Sequence, residues 1–270
     1  KQTVSMLEKN LVSDDETLGE FVQKHKYSKS FVNYYIVPMG AAIWSASEEV
    51  MLAFPLKFFL NFFNNHGMLS VDERPQWRVI SQGSQSYIKP ITEPYKDRIR
   101  LNTPVEKIER MPEGVNVHTS HGDIVEFDHV VLACHSDQAL RLLDNPSKQE
   151  SEILGALPYQ MSEVVLHTDT RLMPKKELAW ASWNYHLPQR ANDCAMVTYN
   201  MNILQNFRDA EETFLVTLNR GVEIAPEKII KKFQYAHPVF TQDGVRAQQR
   251  YDEINAKNNT HFCGAYWFNG

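Results

Sequence analysis

Asp128-His-Val-Val-Leu-Ala-Cys134 is a nearly uninterrupted apolar run opened by a charged residue. A strand exposed on one face alternates polar and apolar side chains. One covered on both faces of a parallel sheet reads as a continuous apolar stretch. This stretch therefore predicts a parallel strand. Burial of Val130, Val131 and Leu132 would stabilise it by roughly 1.5–3 kcal/mol per side chain before conformational entropy is counted. Ser136 stands next in N-cap position, which predicts a helix through Leu143.

Working outward from this run, the upstream sequence predicts shorter strands. Arg98–Leu101 is one, and Pro104–Arg110 alternates as a half-buried one. Gly114–Thr119 pairs with it across Met111-Pro-Glu-Gly114, and Ile124–Phe127 adds a third. Downstream, Ser162–Thr168, Ala179–His186, Cys194–Met201 and Thr213–Leu218 predict four strands of an antiparallel sheet. A helix near Pro226-Glu-Lys-Ile-Ile230, a strand around Phe233–Tyr235 and a long helix over Gln242–Ala256 lead into the final apolar stretch. That stretch, His261-Phe-Cys-Gly-Ala-Tyr-Trp-Phe-Asn-Gly270, is read as a return strand. Its small pair Gly264-Ala265 suits close backbone approach to a ligand's phosphates, and Asn269-Gly270 is a turn signal.

The first third predicts helices. Ser13-Asp-Asp-Glu16 and Ser45-Ala-Ser-Glu48 are N-cap signatures, and Pro55 suits the first turn of a further helix that Gly67 ends. That helix carries Phe59, Phe62 and Phe63 on one face, as core packing or as the lining of an apolar substrate tunnel. The order of elements predicts an α+β or α/β protein of two interleaved domains. Residues 1–74 are its helical part and 75–150 a mixed portion of strands and helix. An antiparallel sheet spans 151–240, and 241–270 return to the mixed portion.

With 43% hydrophobic and 23% charged residues among 270, the chain has ample material for a globular core. A net charge of −5 leaves no basic stripe for nucleic acid. No apolar run approaches the roughly 20 residues a membrane helix needs. Cys134, Cys194 and Cys263 are dispersed and odd in number, which fits buried thiols in a reducing compartment, hence the cytoplasm, better than disulfides or a metal site. Lys1-Gln-Thr-Val-Ser-Met-Leu7 has no initiator Met and no signal-peptide core, and reads as a chain entered in its middle.

Several motifs in one order carry a resemblance. Asn102-Thr-Pro-Val-Glu-Lys-Ile108 followed by Phe127-Asp-His-Val-Val-Leu-Ala-Cys-His135 is similar to the second half of the flavin-containing amine oxidase superfamily. Pro38-Met-Gly-Ala-Ala-Ile-Trp-Ser45, Pro75-Gln-Trp-Arg78, Trp180-Ala-Ser-Trp-Asn-Tyr-His186 and Phe262-Cys-Gly-Ala-Tyr-Trp267 resemble one subgroup of it. These are bacterial NAD/FAD-binding, amine-oxidase-like proteins often encoded beside cyclopropane fatty acid synthases. The resemblance implies a two-domain FAD-linked fold, in which 75–150 and 241–270 belong to an FAD-binding domain and the rest to a substrate domain. It also implies a Gly-x-Gly-x-x-Gly turn and a closing flavin segment, and the eleven glycines here include no Gly-x-Gly. The chain is therefore expected to be a fragment that by itself holds no FAD. The open edges of Val130–Cys134 and Phe262–Ala265 are expected to promote self-association.

Position by position, the resemblance implies that Val105 meets the adenine through its backbone and that Ala133 and Cys134 end near the pyrophosphate. Gly264 and Ala265 would approach the ribityl phosphate, Asn269 and Gly270 the flavin ring, and Trp77, Gln82 and Gly83 the stretch beside it. Flavin enzymes leave the redox step to the cofactor, so catalytic side chains have a thin signature. Trp183 and Tyr185 on one face of a strand, with His186 on the other, are the candidates for walling and protonating a substrate, and His237 is a further proton carrier. No spacing suggests a metal site, and no Gly-x-Ser-x-Gly suggests hydrolysis. The implied function is FAD-dependent oxidation of a C–N or C–C bond in an apolar, lipid-like small molecule. The alternatives are a non-catalytic binding module and a redox-neutral flavin isomerase.

Overall fold

The computed structural model describes residues 5–7, 9, 11–70, 75–187, 195–207 and 209–268. The chain forms two compact units, each built from two separate stretches: Lys1–Pro94 with Gln160–His237, and Tyr95–Tyr159 with Pro238–Gly270. The breaks at 94/95, 159/160 and 237/238 stand where the sequence suggested 74/75, 150/151 and 240/241.

The first unit begins with helices wrapped around an aromatic core. The Leu18–Lys24 helix is capped by Thr17, not by the expected Ser13: the Thr17 hydroxyl accepts from the Glu20 amide while the Glu20 carboxylate accepts from the Thr17 amide. Both Ser13 and Thr17 satisfy the capping pattern. Tertiary pairing decides between them, because Leu18 N–H donates to the Phe54 carbonyl and Leu56 N–H to that of Glu16. Likewise Ser47 caps the Glu48–Leu52 helix, and Ser45 instead ends Val37–Trp44 in a left-handed conformation. Pro55 precedes the Leu56–Asn65 helix, as expected. Phe54, Phe59 and Phe63 are buried with Trp44, whose ring lies 4.5 Å from that of Phe54 and 4.9 Å from that of Phe62. A Cβ at Gly40 would stand 2.3 Å from the Met51 methyl, so a larger residue there would force the Met51 side chain to move.

The rest of this unit is a five-stranded sheet, in the order Trp183–His186, Met196–Asn200, Leu215–Leu218, Tyr159–His167, Ile229–Pro238. The four expected strands are present with shifted ends. Ala179 closes a short 3-10 turn rather than opening a strand, and Cys194 lies outside the described residues. The helix expected near Pro226 is a single 3-10 turn, Pro226–Lys228.

The second unit contains the antiparallel meander Val105–Met111, Gly114–Thr119, Ile124–Phe127. Arg98–Leu101 is not a strand: Glu93–Arg98 is a kinked 3-10 segment and Asn102 turns left-handed, so the stretch satisfies itself locally and meets no strand edge. Val130–Leu132 pairs in parallel with Thr260–Phe262. Leu132 and Phe262 are buried, but Val131 is 61% exposed, so within this chain the strand is covered on one face rather than two. Ser136 opens the Ser136–Leu142 helix from inside. The N-cap is His135, whose amide donates to the Gln138 side chain. The long helix expected over Gln242–Ala256 is broken into Gln242–Gln248 and Tyr251–Ile254.

Arg110 ties the meander to the Lys148–Gly155 helix through an ion pair with Glu150, and it also donates to the Asn145 carbonyl. Burial pushes the Glu150 carboxyl up, but hydrogen bonds from Arg110 and from the Ser147 amide outweigh it and hold the group below its ordinary range. Removing one partner of a buried pair strands a charge, which costs about 3–5 kcal/mol. Arg110→Leu should lower unfolding free energy by that order in urea denaturation, and Arg110→Met with Glu150→Leu by much less. Equal losses would show that shape, not charge, is what the pair supplies.

Candidate functional site

In the second unit, the parallel pair ends in a short bare ledge. Cys263 N–H donates to the Leu132 carbonyl at 3.0 Å, and beyond that bond Ala133, Cys263 and Ala265 are exposed while Cys134 and Gly264 are half-buried. Carboxyl ends of parallel strands are where open α/β sheets receive nucleotides. Val105 is 37% exposed at the start of its strand, beside a register shift before Lys107. So Val105, Ala133, Cys134, Gly264 and Ala265 fall in one unit, and the exposed members offer backbone rather than charged side chains. Such a ledge is compatible with a dinucleotide held by main-chain contacts. Gly264 has another reason to lack a Cβ: one would sit 2.3 Å from the ring of buried Tyr266. His135 is stacked on Tyr159 at 4.4 Å, and the Tyr159 hydroxyl accepts from the Ser136 amide. Burial pushes the Cys134 thiol and the Tyr266 hydroxyl up, so neither ionises near neutrality. Asn269 and Gly270 lie outside the described residues.

The other candidates belong to the first unit. Trp183 is 43% exposed, with its ring edge-on to cross-strand Tyr199 at 5.5 Å. Tyr185 is half-buried, and burial, helped by the Glu48 carboxylate, raises its hydroxyl. His186 is less suited to carry protons than its sequence position suggested. Arg220 donates to Nδ1 at 2.6 Å, which leaves Nε2–H to donate to the Thr198 hydroxyl at 2.9 Å. Burial first, then the Arg220 charge, lowers its pKa to about 4. The ring is neutral and doubly engaged. Trp77 is 65% exposed, with its ring parallel to that of His66 at 6.2 Å. Gln82 and Gly83 form an exposed turn with φ of 65° and 79°.

Sequence reasoning missed the row that His186 belongs to. Thr198 also contacts the Thr217 hydroxyl at 2.9 Å, and Thr217 accepts from His167 Nε2 at 2.7 Å. His167 Nδ1 accepts from the Asp169 amide. His186, Thr198, Thr217 and His167 thus form one hydrogen-bonded line across four adjacent strands, the last three of them fully buried. Its trace in the sequence was the recurrence of Thr and His inside otherwise apolar strands.

Among the described residues, no group of three His, Cys, Asp or Glu side chains is arranged to hold a metal ion, and no helix is long and apolar enough to cross a membrane.

The family is settled by comparison. A profile of flavin containing amine oxidoreductases matches residues 3–218, and the chain belongs to that family. The fold is similar to that of a CLA-producing fatty acid isomerase from P. acnes (TM-score 0.66, 15% identity, 96% of this chain and 64% of that one). It is also similar to a putrescine oxidase variant (0.65, 13%, 95% and 64%). Cyclohexylamine oxidase from Brevibacterium oxydans IH-35A is a third relative (0.61, 11%, 94% and 62%). The chain thus spans under two thirds of these neighbours' length. A search of curated proteins finds no match.

The neutral histidines give the sheet a pH dependence. His186 and His167 both have lowered pKa values in the folded state, with burial the main cause. Unfolded, they take up protons near 6.5, and folded they resist. Their contribution is therefore complete above about pH 6.5 and is lost as pH falls toward 4. Unfolding free energy in urea should drop by about 1–2 kcal/mol between pH 7 and 5, and His186→Gln should flatten that slope. An unchanged slope in the variant would remove His186 from the explanation.

Proposed function

We propose that this chain is the larger part of an FAD-dependent oxidoreductase that removes hydride from a C–N or C–C bond of an apolar small molecule. Tyr95–Tyr159 with Pro238–Gly270 is the cofactor-bearing unit and Lys1–Pro94 with Gln160–His237 the substrate-bearing unit. The observation that carries this reading is the exposed ledge of Ala133, Cys263 and Ala265 at the carboxyl ends of a parallel pair, in a chain of the flavin amine oxidoreductase family.

In this reading Val105, Ala133, Cys134, Gly264 and Ala265 hold the dinucleotide through main-chain groups, and none of them carries a charged side chain. Bound flavin supplies the electron sink. The chain's own residues orient the substrate and exclude water: Trp183 offers an exposed aromatic face, and Tyr185 a neutral hydroxyl able to donate a hydrogen bond. His186 orients its strand through Thr198 and Arg220 and moves no proton at neutral pH. The exposed Val131 edge is a further contact, either for more of the same fold or for a second copy.

The test is direct. Protein purified from the complete reading frame should be yellow, release FAD on denaturation, and lose its flavin absorbance when an oxidisable amine or acyl substrate is added without oxygen. A colourless protein that takes up no added FAD would refute the proposal. Trp183→Ala should raise KM about ten-fold with little change in protein stability, since its ring is already partly in water.

A further inference from the structure

Within the first unit, a cavity of about 140 Å³ is walled by Tyr35, Met39, Phe63, His66 and Trp77. Of the eight lining residues, four carry planar rings and two are methionines. A volume of about 140 Å³ is of the size that accepts a benzene-sized guest. Phe63 is 2% exposed and forms the floor, whereas Tyr35 and Trp77 are 41% and 65% exposed at the mouth. Rings of that size left in water mark a surface with something to cover.

The mouth is built by specific backbone choices. Tyr35 lies in a turn of π-helix, Val32–Ile36, an arrangement that often marks functional positions in helices. Gly67 adopts φ +65° and lets Pro75 lie where its Cβ would be, 2.4 Å from the proline Cδ, and two residues on Trp77 is parallel to His66. From Tyr35 the aromatic surface continues outward, with Phe31 stacked on it at 5.3 Å and Tyr27 5.5 Å beyond.

The polar atoms of the lining side chains are the His66 ring nitrogens, the Tyr35 hydroxyl and the Trp77 indole N–H. His66 Nδ1 donates to the Phe62 carbonyl at 2.8 Å, so in the neutral ring the lone pair is on Nε2. Among the described residues, neither a carboxylate nor a lysine or arginine side chain lines the cavity. An anionic group placed here would be desolvated against π faces with no lysine or arginine among the described lining residues to offset that cost, whereas a group with a hydrogen to donate can be received by His66 Nε2.

We propose that this cavity binds a compact apolar group, one ring or the end of a short alkyl chain, whose hydroxyl or amino hydrogen is received by His66. That this group is the apolar end of a substrate rests on the role proposed above for the first unit. The binding itself is measured without flavin, so the two readings fail separately.

Benzyl alcohol, toluene and benzoate are titrated into the full chain and followed by ligand-observed NMR. Saturable binding of benzyl alcohol, weaker binding of toluene and none of benzoate are expected. Trp77→Ala should weaken benzyl alcohol about ten-fold. His66→Phe should keep toluene binding while erasing the preference for the alcohol. Tyr87→Ala removes a ring as exposed as that of Tyr35 (42% against 41%) that does not line the cavity, and should change nothing. Failure of both neutral probes to saturate, an unaltered affinity in Trp77→Ala, or benzoate binding as tightly as the alcohol would each overturn the proposal.

Discussion

The second unit depends on one pairing, that of Val130–Leu132 with Thr260–Phe262. Parallel strands cannot be joined by a tight turn and need a long crossover. Here that connection includes all of Gln160–His237, which belongs to the other unit. The returning strand is gripped from several sides. The Asn259 carbonyl accepts from the Val130 amide while its side chain donates to the Met111 carbonyl, so one residue joins the pair to the meander. Asn255 receives the Phe262 amide, and the Tyr251 hydroxyl donates to the Phe262 carbonyl. Buried Ile108, Leu132, Ile153, Ile254 and Phe262 then pack as one cluster. With that pair formed, the bare ledge at its end follows from geometry, since both strands stop together and turn away.

The first unit solves a different problem, how to hold a sheet against a bundle of short helices. Small residues let the helices approach: Gly19 brings the Leu18–Lys24 helix so near Leu52 that a Cβ would meet its carbonyl at 2.8 Å. Inside the sheet, polar atoms are satisfied by each other. A line of two histidines and two threonines leaves each ring nitrogen with a partner, which low dielectric strengthens and which would be costly if broken. The outcome is a rigid floor under Trp183 and Tyr185, while the aromatic mouth at Tyr35 and Trp77 stays open.

How far these features were legible depended on where their causes lie. The Val105–Thr119 hairpin was readable because alternation and turn chemistry are local, and the parallel character of Val130–Leu132 because its apolar run is local. Its one-sided burial was not readable, since that depends on what else packs there. N-caps slipped between Ser13 and Thr17 because both satisfy the local rule and only the Phe54 backbone distinguishes them. For the site, the sequence located Trp183, Tyr185 and His186 on one strand. The neutrality of His186 comes from Arg220, 34 residues away, and no spacing rule contains it. Trp77 was noticed for its motif. Its pairing with His66 depends on the left-handed Gly67, which leaves no periodic trace.

Interleaving has a consequence for synthesis. Val105–Leu132 leaves the ribosome with its meander complete but its parallel mate still unmade, and the Gln160–His237 part of the other unit must follow before Thr260 emerges. During that interval an apolar strand edge is exposed to the crowded cell, where nonlocal pairing is slow and unpaired edges recruit one another. Through that interval the exposed Val131 side of the strand is the part of this unit most open to pairing with another chain.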